Sequence, residues 1–207
     1  MLNIAITIIS AYLLGSIPSA YAAGRLRKGI DIRQVGSKNM GATNVYYEVG
    51  KTEGILVFFT DVGKGIGAIL LARWLEVSLL WQLLAGLTAV VGHVFPVFLK
   101  FRGGRGGATT LGILLFFMPK AIPFFIAIAA IALIVTRNIA FCYSIAFVCL
   151  PFVAWLFPYP TNYYLPFSIG LPMFVDINCI PSLKETYMRN GGSWCKVIKR
   201  SSIKDRP

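Results

Sequence analysis

Two short segments that are both glycine-rich and basic carry the residue types best suited to binding an anion. The first, at 36–44, reads Gly-Ser-Lys-Asn-Met-Gly-Ala-Thr-Asn, and the second, at 102–110, reads Arg-Gly-Gly-Arg-Gly-Gly-Ala-Thr-Thr and leads into an apolar stretch. Glycine lets backbone N–H groups converge on a phosphate, and a following helix N-terminus adds positive potential. Arg105 and the threonine hydroxyls supply charge and donors. The two segments therefore predict phosphate-binding chemistry.

A flexible basic connector is the alternative for either segment taken alone. Two such segments within residues 36–110, both with Ser or Thr beside the glycines, favour phosphate binding. Neither segment is a Walker loop, because neither contains Gly-Lys-Ser/Thr, and no alternation of strands and helices surrounds them as a Rossmann fingerprint requires.

Three further polar residues lie inside apolar stretches. Asp61 and Lys64 have the i,i+3 spacing that lets two charges neutralise each other on one helix, so they predict either a substrate site or a purely structural buried pair. His93 is the single histidine; a hydrogen bond to a nearby carbonyl is its simplest use. No Ser-His-Asp order, paired carboxylates or metal-ligand cluster occurs, so we expect no metal and no cofactor. An enzyme built from these residues would work mainly by binding and electrostatics.

The elements that position these residues are membrane helices. The 207 residues are 57% hydrophobic and only 14% charged, with a mean hydropathy of +0.71, whereas soluble domains carry about 25% charged residues. A helix of about 20 residues crosses the hydrocarbon core. The sequence therefore predicts an all-α, multi-pass transmembrane bundle of about seven helices, at 2–23, 54–72, 77–99, two within 106–135, 139–157 and 163–181.

The positive charge lies between the apolar segments. The net charge of +12 is concentrated at 24–53, 100–105 and 184–206, which is the distribution of the positive-inside rule and not that of a nucleic-acid-binding face. We therefore expect the N-terminus outside, the C-terminus in the cytoplasm and the lipid bilayer as the partner. Residues 1–181 are predicted to form a single transmembrane domain, and 182–207 a basic cytoplasmic tail.

The first half of the chain resembles the integral-membrane bacterial acyl-phosphate:glycerol-3-phosphate acyltransferases. The resemblance covers about residues 1–115 and rests on Gly15-Ser16-Ile17-Pro18, Asp31-Ile32-Arg33, the segment 36–44, Asp61 to Gly65, Gly92 to Pro96 and Gly103-Gly104-Arg105-Gly106. It implies a seven-helix enzyme of the bacterial inner membrane whose active site faces the cytoplasm. Such an enzyme moves a fatty acyl group from acyl phosphate to the 1-hydroxyl of glycerol 3-phosphate, giving lysophosphatidate and phosphate without coenzyme A.

The resemblance and the two loops together nominate the site residues. The catalytic candidates are Ser37, Asn39, His93 and Arg105. The substrate-binding candidates are Ser16, Gly36, Lys38, Gly41, Thr43, Asn44, Asp61, Lys64, Gly103, Gly104, Gly106, Thr109, Arg137 and Arg189. An apolar groove between helices is implied for the acyl chain.

Several positions depart from the family pattern. Lys38 stands for a glycine and Arg105 for a lysine, and the remaining departures are Tyr47 for arginine, Ala140 for serine, Leu183 for histidine and Thr186 for asparagine. Most of these positions belong to the glycerol 3-phosphate side in the family. Two alternatives therefore stay open: a divergent member with an altered or lost acceptor site, and a small membrane anion transporter that uses Asp61 and Lys64.

Overall fold

The computed structural model describes residues 1–159, 161–189 and 191–198, and within them the regular structure is helical, without strands. This confirms the all-α prediction. The α-helices are α1 (Leu2–Ser16), α2 (Ser19–Lys28), α3 (Ala42–Glu48), α4 (Lys51–Trp74), α5 (Leu79–Val94), α6 (Gly107–Phe117), α7 (Ile122–Thr136), α8 (Ile139–Trp155), α9 (Thr161–Arg189) and α10 (Trp194–Ile198). Short 3-10 turns lie at Val97–Leu99 and Pro119–Ala121.

Four helical segments among the described residues are long and apolar enough to cross a membrane: Leu2–Lys28, Lys51–Trp74, Leu79–Leu99 and Pro119–Thr136. The first three cover the predicted spans at 2–23, 54–72 and 77–99. α6 and α7 divide 106–135 into two helices, as predicted. The count of seven spans and the direction of the termini stay predictions.

The first apolar span is two helices and not one. Pro18 has no backbone N–H and disfavours a helical conformation at the residue before it, and Ile17 accordingly has φ −56° and ψ 120°. α1 therefore ends at Ser16 and α2 begins at Ser19. The prediction of a continuous helix over 2–23 is wrong at this break.

The chain forms two compact units, Met1–Phe117 and Met118–Pro207. In the second unit α8 packs against both α7 and α9. The Ser144 hydroxyl of α8 donates to the Asp176 carboxylate of α9 at 2.7 Å. α9 is continuous through three prolines and through the predicted boundary at 181 and 182, so the first residues of the predicted tail are helical. Residues 190 and 199–207 of that tail lie outside the described residues.

In the first unit α1 packs on α5, and α4 packs on α3, α5 and α6. The small or polar residues of α1 are buried and its large apolar residues face outward, as expected where lipid and not water is the solvent. The buried residues are Thr7, Ala11, Gly15 and Ser16, and the exposed ones include Leu2, Ile6, Ile9 and Leu13.

Glycines set the distance between these helices. A Cβ atom at Gly15 would overlap the Ala89 carbonyl oxygen of α5, and one at Gly112 of α6 would overlap the Val62 carbonyl oxygen of α4. Close backbone approach replaces the hydrophobic driving force that lipid removes. The two helix pairs therefore depend on glycine at their crossing points.

We expect Gly15→Ala to destabilise the protein severely, because the added methyl group would force α1 away from α5. Gly67→Ala is the matched control on a membrane helix, since a Cβ there meets nothing within 4 Å and alanine favours helix by about 1 kcal/mol. Thermal unfolding and size-exclusion profiles in detergent measure both. Equal melting temperatures for the two variants would contradict the packing assignment.

Candidate active site

A buried ion pair lies at the centre of the first unit. Asp61 and Lys64 are one helical turn apart on α4, and the Lys64 ammonium nitrogen lies 2.7 Å from Asp61 Oδ1. Their side chains are 1% and 4% exposed, respectively. The predicted i,i+3 pairing is confirmed.

The break between α1 and α2 completes the coordination of this pair. The Lys64 ammonium group donates to the Ile17 carbonyl oxygen at 2.5 Å and to Ser19 Oγ at 3.0 Å, and Ser19 Oγ donates to Asp61 Oδ1 at 2.6 Å. The Ile17 carbonyl is available because Pro18 interrupts the helix there. All three ammonium hydrogens thus have acceptors, which favours the structural alternative for Lys64 over direct substrate binding.

His93 links this pair to the second glycine-rich loop. Its side chain is 7% exposed, and its Nδ1 lies 3.7 Å from Asp61 Oδ1. On its other side, a Cβ at Gly104 would overlap His93 Nε2, so only glycine lets the loop backbone lie against the imidazole. His93 is therefore enclosed between a carboxylate and the 102–106 loop.

The 102–106 loop is bound to the C-terminal end of α5. The Gly103 N–H donates to the Val94 carbonyl at 3.0 Å, and the Gly104 N–H donates to the His93 carbonyl at 3.1 Å. These bonds satisfy carbonyl groups that the end of a helix leaves without partners. Gly106, at φ 87°, then turns the chain into α6.

Asn44 organises the first glycine-rich loop. Its side-chain amide donates to the carbonyls of Ile32, Val35 and Asn39, each at 3.1 Å, and its Oδ1 accepts the Ser37 N–H at 3.0 Å. Asn44 is 2% exposed. The predicted substrate-binding residue thus has its polar atoms engaged in holding the loop.

The two glycine-rich loops meet, as the phosphate-site prediction requires. A Cβ at Gly104 would lie 2.8 Å from the Met40 carbonyl oxygen, so the second loop passes directly beside the first. Met40 also packs in a small apolar core with Ile32, Val45 and Leu99. This core packs the first loop against the 3-10 turn that precedes the second loop.

Four N–H groups of the two loops, however, do not take part in the predicted cradle. The N–H groups of Gly103 and Gly104 bond to α5, the Ser37 N–H bonds to Asn44, and the Lys38 N–H donates to the Val35 carbonyl at 3.0 Å. For these four groups the expected convergence on an anion is wrong. The glycines allow close packing. An anion at this place would be bound by side chains and by the N-terminus of α6.

The remaining candidates of the first unit surround these loops. Ser37, Asn39, Gly41 and Arg105 are half-buried, and Lys38, Gly36 and Thr43 are exposed. Tyr47, at one of the departures from the family pattern, is half-buried on α3.

Two buried hydroxyl groups among the candidates have no hydrogen-bond partner within the described residues. They belong to Ser16, at the end of α1, and Thr109, in the first turn of α6; Thr110 beside it is in the same position. Buried hydroxyls ordinarily have hydrogen-bond partners. These hydroxyls are therefore buried donors and acceptors that no described residue uses.

Arg137 and Arg189 belong to the second unit. Arg137 follows α7 with φ 52°, and Arg189 is the last residue of α9. Ala140 lies in the first turn of α8, and Leu183 and the buried Thr186 lie on α9.

A groove of about 390 Å³ opens between α2 and α4. Its walls are mainly apolar and include Ile17, Leu26, Leu56 and Val57. Ser19, which is hydrogen-bonded to Asp61 and Lys64, also lines the groove. The groove fits an apolar chain.

Sequence reasoning missed Ser19 and the Ile17 carbonyl. Pro18 between two serines inside an apolar span was the available signal, because a helix break exposes carbonyls that a buried cation can use. Sequence reasoning named Asp31-Ile32-Arg33 only as part of the family resemblance and assigned Asp31 no role; Asp31 pairs with Arg33 through Nε at 3.0 Å and Nη2 at 2.7 Å. Hydrogen bonding from the Arg33 guanidinium lowers the pKa of the Asp31 carboxyl.

Comparison with known proteins identifies the family. The family model described as glycerol-3-phosphate acyltransferase matches residues 5–183. The chain belongs to this family.

Two relatives illustrate the match. Glycerol-3-phosphate acyltransferase 2 of Dehalococcoides mccartyi is 44% identical over 207 residues, which cover all of this chain and 98% of the relative. The glycerol-3-phosphate acyltransferase of Bacillus subtilis is 46% identical over 137 residues, which cover 66% of this chain and 70% of the relative.

Two solved structures share the fold. They are crystal structures of PlsY, an integral membrane glycerol 3-phosphate acyltransferase, in its glycerol 3-phosphate and lysophosphatidic acid forms. Both are 31% identical to this chain, with TM-scores of 0.81 and 0.78, and they cover 92% of it; the matches span 94% and 93% of the respective PlsY chains. This chain is thus a multi-pass membrane protein.

We expect Asp61→Asn to cost about 3–5 kcal/mol of stability, because it leaves the Lys64 ammonium buried without its counter-charge. Glu53→Gln is the matched control, since Glu53 pairs with Arg27 at 3.0 Å but the Arg27 side chain is 71% exposed, and such pairs contribute about 0–1 kcal/mol. Melting temperatures in detergent measure both, and the double variant Asp61→Asn with Lys64→Met is expected to recover part of the loss. A mild Asp61→Asn phenotype would refute this account.

The Asp31–Arg33 pair predicts a pH dependence. Because the folded-state pKa of Asp31 lies below its usual 3.8, the stability it contributes is fully present above that value and is lost as the pH falls through the folded pKa. The melting-temperature difference between wild type and Asp31→Asn should therefore be large at pH 7 and shrink below about pH 4. Arg33→Gln, which removes the same pair from the other side, should behave alike. A difference that is constant with pH would exclude the pair as its cause.

Proposed function

We propose that this protein transfers a fatty acyl group from an acyl phosphate to the 1-hydroxyl of glycerol 3-phosphate. The new ester C–O bond forms at the acyl carbon, the bond from that carbon to the phosphate oxygen breaks, and the hydroxyl proton ends on the released phosphate. The products are lysophosphatidate and inorganic phosphate. Membership of a family named for acyl transfer to glycerol 3-phosphate supports this proposal.

The observation that carries the proposal is the meeting of both glycine-rich loops beside His93. Gly104 lies against His93 Nε2 and beside the Met40 carbonyl of the first loop, and His93 Nδ1 is 3.7 Å from Asp61 Oδ1. Ser37, Asn39 and Arg105 lie on these two loops, and we assign them to one site at this end of α5. This assignment would gather polar and cationic groups near a histidine that is held from two sides.

This arrangement suits a reaction whose donor is already activated. Phosphate is a good leaving group, so the protein needs to hold two reactants together and stabilise the charge that develops on them. In our proposal Arg105 and the positive N-terminus of α6 stabilise phosphate charge, and Ser37, Asn39 and Thr43 donate or accept hydrogen bonds. Asp61 keeps His93 in position, and His93 in turn supports the 102–106 loop that carries Arg105.

The acyl chain is assigned to the groove between α2 and α4. The groove is mostly apolar, and Ser19 connects it to the buried pair that positions His93. A lipid-soluble donor would enter from the bilayer, and a water-soluble acceptor from the loops. We place these loops on the cytoplasmic side of a bacterial inner membrane. The two loops belong to the basic segments 24–53 and 100–105, and the positive-inside rule assigns such segments to the cytoplasm.

We retain 1–181 as the transmembrane domain, 182–207 as the cytoplasmic tail, and seven spans with the N-terminus outside as parts of the proposal. Arg137 and Arg189 are kept as substrate-binding candidates on the acceptor side. An anion transporter is disfavoured, because Lys64 uses its three hydrogens within the protein.

Phosphate release by the purified protein given palmitoyl phosphate tests the proposal. We expect release to depend on glycerol 3-phosphate and to yield one lysophosphatidate per phosphate. Release without acceptor dependence, or donor binding without release, would establish a family member that has lost its acceptor site. Anion flux in proteoliposomes without acyl transfer would establish the transporter instead.

Arg105→Ala should lower kcat/KM by about 10–100-fold, because it removes a cation that we assign to phosphate. Arg105→Lys keeps the charge and should retain most activity. Arg102→Ala, an exposed arginine three residues earlier in the same loop, is the control and should have little effect. Equal losses in Arg105→Ala and Arg102→Ala would point to the general charge of the loop and refute a specific contact.

A further inference from the structure

Lys38 holds a backbone conformation that its residue type disfavours. Its φ is +56°, in the left-handed region where a Cβ crowds the following carbonyl and where glycine is the usual residue. Gly36, two positions earlier, has the same φ and is a glycine. A lysine in this conformation is therefore not explained by local backbone preference.

The surrounding loop imposes this conformation from both sides. The Ser37 N–H and the Asn39 carbonyl are both bonded to the buried Asn44 side chain, and the Lys38 N–H is bonded to the Val35 carbonyl. The backbone on both sides of residue 38 is therefore held by hydrogen bonds. Strained residues held by a rigid surrounding cluster at functional sites, where the strain accompanies a task.

The ammonium group of Lys38 is available for that task. The residue is exposed, and its side chain makes no ion pair or hydrogen bond to any described residue. Neighbouring cations are engaged, since Arg33 pairs with Asp31 and Lys28 donates to the Glu48 carbonyl at 2.8 Å. Lys38 thus presents an uncompensated charge beside Ser37 and Asn39.

A phosphate at this loop needs such a charge. The N–H groups of Ser37 and Lys38, and of Gly103 and Gly104 opposite, are already bonded within the protein. These four backbone donors are therefore committed within the protein, and none of them carries a full charge, so a side-chain cation is needed to balance a phosphate dianion.

We propose that the Lys38 ammonium group binds the phosphate of glycerol 3-phosphate, and that the loop retains a strained lysine for this contact at the expense of stability. The inference rests on the proposed acyltransferase function. We assign the acceptor and not the donor because Lys38 is exposed on a polar loop, where a small water-soluble dianion arrives, whereas the donor carries an apolar chain.

Three variants separate charge from strain. Lys38→Gly removes both, Lys38→Asn removes the charge with a side chain that tolerates the left-handed region, and Lys38→Arg keeps both. We expect Lys38→Gly and Lys38→Asn to raise KM for glycerol 3-phosphate roughly tenfold with kcat little changed, and Lys38→Arg to stay near wild type. Lys38→Gly should also raise the melting temperature by about 2–4 °C.

Lys100→Gly is the matched control. Lys100 is an exposed lysine at φ +55°, just after the 3-10 turn Val97–Leu99. Its replacement should raise the melting temperature by a similar amount and leave KM for glycerol 3-phosphate unchanged. The combination of higher stability with weaker acceptor binding is therefore specific to position 38.

Each outcome decides the inference. A tenfold higher KM for palmitoyl phosphate alone would overturn the assignment to the acceptor, and an equal rise of KM in Lys100→Gly would reduce the effect to surface charge. An unchanged KM in Lys38→Asn with an active wild type would overturn the Lys38 contact and leave the proposed function intact. If wild type shows no transfer, thermal stabilisation by glycerol 3-phosphate in wild type but not in Lys38→Asn still tests the contact, and its absence in both overturns it.

Discussion

A charge inside a membrane protein needs a partner from the protein itself. In the first unit the Asp61–Lys64 pair has this need, and the neighbouring elements are arranged around it. Each charge at the middle of a bilayer costs about 2.5–3.5 kcal/mol when it has no partner. Here the two neutralise each other on α4, and the ammonium group also takes the Ile17 carbonyl and Ser19. Those two partners exist only because Pro18 divides the first span. The break that looks like a defect in a membrane helix thus completes the coordination of the pair.

The same pair determines where the catalytic candidates lie. His93, on α5, lies beside Asp61 of α4. The carbonyls at the end of α5 accept hydrogen bonds from the N–H groups of Gly103 and Gly104. The second loop is therefore fixed relative to the pair through two steps of direct contact. The first loop follows, because the Met40 carbonyl lies beside Gly104.

Glycine has a different use in this protein from the one its sequence pattern indicates. A glycine-rich basic loop is typical of a backbone cradle for phosphate. In this fold the glycines allow α1 and α5, α4 and α6, and the second loop and α5 to approach within backbone contact. The N–H groups of Gly103 and Gly104 close hydrogen bonds with the end of α5. In our proposals anion recognition depends on side chains such as Arg105 and Lys38. A single substitution in these loops should therefore change anion binding strongly.

Much of the protein is determined by neighbours along the chain. Apolar runs determine that it is an all-helical membrane protein, the i,i+3 spacing determines that Asp61 and Lys64 pair, and the order of Gly15-Ser16-Ile17-Pro18, 36–44 and 103–106 determines the family resemblance. These features depend on helical periodicity and local composition, which the sequence expresses directly.

Tertiary structure decided what depends on groups far apart in the chain. Lys64 meets the Ile17 carbonyl across 47 positions, and Arg33 meets the Leu99 carbonyl across 66. Packing also decided that Asn44 holds the first loop together, that the N–H groups of Gly103 and Gly104 are occupied, and that Lys38 adopts a left-handed conformation. Sequence alone could not assign these roles, because a side chain's hydrogen-bond partners and a loop's backbone angles are fixed only when distant segments come into contact.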